Sequence, residues 1–129
     1  MTKQDLVVPG LELARRLEGA EAAASRAFCD TASTLYPDKV IRAIPVGGGY
    51  LLHYGAGDPL NAAKGVGLEG PVDMQVWNDL ERWMRAESSP IVIDLCPLAD
   101  AGFVTALGER GYVIGSFETV TYRSIGREE

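Results

Sequence analysis

The stretch VIRAIPVGGGYLLHY, residues 40–54, determines the architecture that the sequence predicts. Two apolar runs, residues 40–44 and 50–54, flank a triple glycine, and a glycine turn between β-branched and aromatic runs is typical of a β-hairpin. A second glycine-rich turn at 55–59 leads into a weaker strand over residues 61–68. The sequence therefore predicts an antiparallel meander of three strands.

Helices are predicted on both sides of this meander along the chain. Over residues 11–35 the apolar positions recur at spacings of three, four or seven, which indicates a long amphipathic helix. These positions are Leu13, Leu17, Ala20, Ala24, Phe28 and Leu35. After the meander, Asp73 is a good N-cap for a second helix. The apolar stripe of that helix comprises Val76, Trp77, Leu80, Trp83 and Met84, and part of it could instead face a partner domain.

The C-terminal third is expected to add a strand, a helix and a strand. Residues 91–96 are nearly all apolar, as in a central strand buried on both faces. Residues 99–110 form a short helix, and residues 112–125 alternate as a last strand. The predicted fold is α/β (α+β): a mixed sheet in the order α-β-β-β-α-β-α-β, an antiparallel meander plus a parallel crossover strand, with helices on both faces.

Composition limits the class of protein. The 129 residues fit one domain, residues 1–129, with 1–10 and 126–129 expected to be flexible. A net charge of −6 argues against nucleic acid as a partner. No segment approaches the ~20 apolar residues of a membrane span, so we expect no membrane partner and a cytoplasmic location. Cys29 and Cys96 lack ligand spacing, which predicts reduced thiols.

Four short phrases occur along the chain in an order shared with a known family. They are VGGGY at 46–50, VGLEGPV at 66–72, DLCPLAD at 94–100 and LGERGY at 107–112. With the order of elements, they resemble the N-terminal halves of two-domain bacterial N-acetyltransferases of the GNAT superfamily over nearly the whole chain. The resemblance implies a degenerate GNAT-like half that packs against a C-terminal half with the acetyl-CoA site.

The resemblance also implies where a cofactor would bind. GNAT enzymes hold the acetyl-CoA pyrophosphate on a glycine-rich turn before a helix, where backbone N–H groups meet the phosphates. Here Pro71 removes one N–H donor and Glu69 adds a carboxylate. We therefore expect no cofactor, and acetyl-CoA only if a divergent site survives. The residual candidates for cofactor contacts are Val66, Gly67, Leu68 and Gly70.

Catalytic and metal-binding residues are not expected. The resemblance places Leu107 where many GNAT enzymes have a Tyr general acid, and Asp100 where they often have an Asn. His53 is the only histidine and has no second ligand at metal-binding spacing. The sequence therefore predicts no catalytic residue and no metal site.

Three functional hypotheses remain open at this point. The first is a non-catalytic scaffold for a missing C-terminal catalytic half. The second is a complete small acetyl-CoA-dependent N-acetyltransferase with a divergent cofactor site. The third is a stand-alone binding or dimerisation module. The expected partner is a C-terminal GNAT domain or a second subunit, with a homodimer as one arrangement.

Overall fold

The computed structural model describes residues 10–123 and 125. Seven elements form a mixed α+β fold of three helices and one four-stranded sheet. They are α1 (Leu11–Leu35), β1 (Arg42–Val46), β2 (Gly49–His53), β3 (Ala62–Lys64), α2 (Met74–Ala86), β4 (Ile93–Asp94) and α3 (Ala101–Glu109). The expected flexibility of residues 1–10 and 126–129 concerns residues that, apart from Gly10, lie outside the described part.

The sheet has the strand order β1-β2-β3-β4. The first three strands pair antiparallel, with Leu51 opposite Ile44 on one side and opposite Ala63 on the other. The last pairing, β3 with β4, is parallel and sets Ala63 opposite Ile93. The predicted meander and parallel crossover strand are therefore both present.

The triple glycine has a steric reason. Gly47 and Gly48 both have positive φ, 53° and 82°, as a tight two-residue hairpin turn requires. Gly49 begins β2 so close to β3 that a Cβ there would overlap the carbonyl oxygen of Lys64. Glycine is therefore needed both in the turn and at the point where β2 approaches β3.

Helices cover both faces of the sheet. Neighbouring residues of β2 point to opposite sides, so their contacts show which helices lie on each face. Leu51 lies in one apolar cluster with Trp77 of α2 and Phe103 of α3. Leu52 lies in a second cluster with Cys29 of α1. The predicted placement of helices on both faces is confirmed.

The α1 helix has its predicted boundaries but a different buried face. Ala22 and Cys29 are its buried residues, whereas Phe28 and Leu35 are 59% and 68% exposed. A helix of 25 residues is about 38 Å long, about twice the length of the strands beneath it. Small residues form the contact face, because α1 lies so close to the sheet that a Cβ on Gly65 would be 3.2 Å from the Ala22 Cβ.

The third strand is shorter than the predicted 61–68. It ends at Lys64, and Gly65 and Gly67 follow with φ values of 71° and 87°. Backbone with positive φ leaves the strand geometry. The glycines that weakened the strand pattern therefore end the strand.

The predicted last strand, residues 112–125, does not form. Residues 112–123 have no regular secondary structure, and Val113, Ile114 and Phe117 are 89%, 75% and 87% exposed. In the described part of the chain β1 and β4 are the two edges of the sheet, and residues 112–123 pair with neither. The predicted α-β-β-β-α-β-α-β order thus lacks its final strand.

The prediction that residues 91–96 form a central strand buried on both faces is also wrong. In the structure β4 is the edge of the sheet, and Val92 and Leu95 are 50% and 36% exposed. The strand that would flank β4 is the one that does not form, so its outer side stays open. Apolar character alone does not distinguish an edge strand from a central one.

We predict that Ser88→Gly stabilises the fold. Ser88 follows α2 with φ 54°, and its N–H donates to the carbonyl of Arg85 while that of Ser89 donates to Met84. This left-handed helix exit favours glycine, so the substitution should add about 0.5–1 kcal/mol to the free energy of unfolding. Thermal denaturation measures the effect.

The matched control is Ser33→Gly inside α1, where the backbone is helical and glycine should cost about 0.5 kcal/mol. A lower melting temperature for Ser88→Gly would contradict the assignment of strain to this position.

Candidate functional site

The candidate cofactor turn joins β3 to α2. Val66 and Leu68 are each only 3% exposed, and Val66 belongs to the same apolar cluster as Leu51. Gly67 and Gly70 have positive φ, 87° and 117°. Of the four candidates, only Gly70 lies partly at the surface.

The backbone of Gly67 is engaged on both sides. Its N–H donates to the carbonyl of Gly47 at 3.0 Å, and its carbonyl accepts from the N–H of Asp100 at 2.7 Å. The first bond ties the turn to the hairpin, and the second ties it to the start of α3. A phosphate or pantetheine amide would have to displace these bonds to use the same groups.

Side chains fill the space next to Gly67. A Cβ built there would lie 3.2 Å from Cδ2 of Phe103 and 3.3 Å from the Cβ of Ala99. Contacts this short are tighter than ordinary packing. The N-terminal end of α3 thus packs against the turn without leaving room for a ligand at this residue.

Arg15 of α1 ties down the other side of the turn. Its Nε donates to the carbonyl of Leu68 at 2.7 Å and lies 3.7 Å from Oε2 of Glu69. The ion pair is exposed and therefore weak, but the bond to the Leu68 carbonyl spans 53 residues of sequence. Arg15 is thus occupied by the fold.

The N-terminus of α2 already holds an anion. Oδ1 of Asp73 accepts from the N–H groups of Gln75 and Val76 at 2.9 and 3.4 Å. This carboxylate uses the N–H groups that bind phosphate at other helix N-termini. The turn also carries the carboxylate of Glu69, which the Arg15 guanidinium partly offsets, and a pyrophosphate would meet both carboxylates.

The two positions that the resemblance relates to catalysis contribute to core packing and to helix capping. Leu107 is 4% exposed within the apolar cluster of α2 and α3. Asp100 is the N-cap of α3, where its Oδ2 accepts from the N–H of Phe103 at 3.1 Å. Leu107 carries no proton to donate, and the Asp100 carboxylate caps a helix.

A buried polar pair, not anticipated from the sequence, lies at the far end of β2. His53 is fully buried, with Nδ1 2.6 Å from the carbonyl oxygen of Val40 and Nε2 3.2 Å from Oγ of Ser89. A nitrogen that close to a carbonyl oxygen must carry the proton. Nε2 faces the Ser89 hydroxyl, which also lies 3.3 Å from the carbonyl oxygen of Glu87.

This pair joins three parts of the fold. Ser89 is 5% exposed and also accepts from the N–H of Gly57 at 3.2 Å, while the His53 ring lies edge-on to Trp83. A cavity of ≈ 190 Å³ opens beside it and is lined by Glu81, Arg85, Ser89, Pro90 and Ile91. We assign the pair a structural role, since its hydrogen bonds hold the exit of α2 against β2 and the 55–58 turn. His53 and Ser89 are 36 residues apart, so no local pattern could reveal them.

A second polar group joins α1, β3 and β4. Lys64 Nζ lies 3.1 Å from Oε1 of Glu21 and 3.6 Å from Oδ2 of Asp94. Burial lowers the pKa of Lys64, but the two carboxylates outweigh burial and raise that pKa above its usual value. Burial, followed by the charges of Glu21 and Asp94, raises the pKa of Glu18.

Neither a metal site nor a membrane span is found in the described chain. Among residues 10–123 and 125, no three His, Cys, Asp or Glu side chains are arranged to hold a metal ion. No helix in this part is long and apolar enough to cross a bilayer.

Comparison with known proteins gives no match. No protein-family model, curated protein sequence or solved structure is significantly similar to this chain. The site must therefore be interpreted from its own geometry.

We predict that Gly67→Ala costs more stability than Gly70→Ala. Both residues have positive φ, but a Cβ at Gly67 meets Phe103 and Ala99, while a Cβ at Gly70 meets nothing within 4 Å. Alanine should cost about 1–2 kcal/mol at Gly70 from backbone strain alone and about 2–4 kcal/mol at Gly67 because overpacking adds to it. Urea denaturation of both variants gives the difference, and equal losses would contradict the close packing of α3 on the turn.

We also predict that Ser89→Ala destabilises the fold by about 1–3 kcal/mol, because it leaves buried Nε2 of His53 and the Gly57 N–H without their partner. Thr105→Ala, at an exposed position of α3, should change stability by less than about 0.5 kcal/mol. A Ser89→Ala variant as stable as this control would show that the hydrogen bonds contribute nothing.

Proposed function

We propose that this chain is the GNAT-like N-terminal domain of a bacterial N-acetyltransferase, non-catalytic in itself, and a scaffold for a C-terminal catalytic half. The observation that carries the proposal is the engagement of Gly67, whose N–H and carbonyl bond to Gly47 and Asp100. A turn built to receive a cofactor keeps such groups available. Here they hold the domain together.

The electrostatics of the turn support the same proposal. The Asp73 carboxylate occupies the N–H groups at the start of α2, and the guanidinium of Arg15 is bonded to the Leu68 carbonyl. Acetyl-CoA brings a pyrophosphate with multiple negative charges. Binding here would require it to compete with a carboxylate already in place.

The surface supports a role that depends on a partner. Val113, Ile114 and Phe117 follow α3 and are almost fully exposed. Large apolar side chains grouped on a surface mark interaction sites. In the proposed arrangement this domain associates with a catalytic half and buttresses or partly lids its active site.

Experiment can distinguish two other functions from the proposed one. A complete small N-acetyltransferase would need a divergent cofactor site and would acetylate an amine with acetyl-CoA. A stand-alone binding or dimerisation module would neither bind acetyl-CoA nor support a catalytic half. The proposed scaffold is inactive alone and supports the activity of a catalytic half.

Calorimetric titration of the purified chain with acetyl-CoA and with CoA tests the proposal. We predict no heat of binding at concentrations where an intact GNAT enzyme, titrated in parallel, saturates. Binding of comparable affinity would contradict the scaffold proposal and support the enzyme. Acetyl-CoA turnover across a panel of amines would add to that contradiction.

A further inference from the structure

The sheet has an open edge. β4 is the last strand in the sheet order and pairs only with β3 among the described strands. Val92, Leu95 and Leu98 along and after it are 50%, 36% and 47% exposed. Natural proteins protect edges with very short strands, charges, bulges or prolines. Here β4 pairs over two residues and is flanked by Pro90 and Pro97, but no other described strand covers its outer side. A partner strand could therefore still pair along this side.

The same chain contains a segment outside the helices and strands, residues 113–122. It is rich in β-branched and aromatic residues, as strands are, and no backbone hydrogen bond joins it to the other described residues. Its most exposed large side chains are Val113, Ile114, Phe117 and Val120, at 89%, 75%, 87% and 53%. Exposed segments of this composition tend to add to sheet edges.

The segment is fixed at its start. Tyr112 donates from its N–H to the carbonyl of Leu107 at 3.1 Å and from its hydroxyl to Oε2 of Glu81 at 2.9 Å. Glu81 lines the same cavity as Ile91, which lies just before β4. The segment thus leaves the domain from a defined point near the beginning of the open edge and then runs into solvent.

We propose that residues 113–122 of one copy pair with the β4 edge of a second copy, and that the second copy does the same in return. In a twofold exchange the edge and the segment of each copy are both paired, because edge and segment belong to the same chain. A different partner that covered only the segment would leave the edge open. A stable interface buries about 1,200–2,000 Å² in total, so the exchange requires both segments to be covered over most of their length.

This proposal does not rest on the acetyltransferase resemblance or on the absence of cofactor binding. It uses only the open edge and the unpaired segment. A dimer that binds acetyl-CoA would overturn the proposed scaffold and leave the exchange intact. A monomer that does not bind acetyl-CoA would overturn the exchange and leave the proposed scaffold intact.

Sedimentation of the 129-residue chain over a range of concentrations up to about 100 µM tests the exchange. We expect a monomer–dimer equilibrium, with hydrogen exchange at 113–122 slowed in the dimer and fast in the monomer. A chain that stays monomeric throughout this range would overturn the proposal, as would protection of 113–122 in the monomer, because the segment would then pair with its own β4.

Variants with matched controls locate the interface. Phe117→Asp should weaken dimerisation at least tenfold, and Phe28→Asp should not, although Phe28 is also an exposed phenylalanine, at 59%. Val92→Lys places a charge on the edge itself and should weaken dimerisation like Phe117→Asp. Circular dichroism checks that each variant is folded. A dimer unaffected by both Phe117→Asp and Val92→Lys would place the interface elsewhere and overturn the exchange.

Discussion

The two hydrogen bonds of Gly67 connect three separate parts of this domain. One joins the β3–α2 turn to the hairpin at Gly47, and the other joins it to Asp100 at the start of α3. Glycine suits this position, because a side chain at a φ of 87° would be strained and its Cβ would lie 3.2 Å from Cδ2 of Phe103. The residue that the family resemblance assigned to a cofactor is therefore a junction of the fold.

Much of this architecture could be predicted from short-range chemistry. The triple glycine indicated the hairpin, and the structure shows the positive φ at Gly47 and Gly48 that requires it. Asp73 was recognised as a helix cap, and it accepts hydrogen bonds from the N–H groups of Gln75 and Val76. These features depend on neighbours within a few residues, so a local sequence pattern is enough to predict them.

Features that depend on distant neighbours were harder to predict. Residues 112–125 alternate like a strand, but a strand needs a paired edge, and alternation says nothing about whether the edge is available. For the same reason the apolar run at 91–96 suggested a central strand where the structure has an edge. The hydrogen bond between His53 and Ser89 connects residues 36 positions apart, so neither residue indicated the other. In the sequence, Pro71 and Glu69 argued against cofactor binding at this turn. The contacts of Gly67 became known only from the structure.

The central claim is that the β3–α2 turn is closed by the protein's own contacts. NMR of the isotope-labelled chain, with acetyl-CoA added stepwise, tests that claim at single residues. The account predicts that the Gly67 amide exchanges slowly with solvent and that the backbone signals of Val66, Gly67, Leu68 and Gly70 do not move. Saturable shifts centred on these residues, with faster exchange at Gly67, would show that the turn opens for the cofactor and would contradict the account.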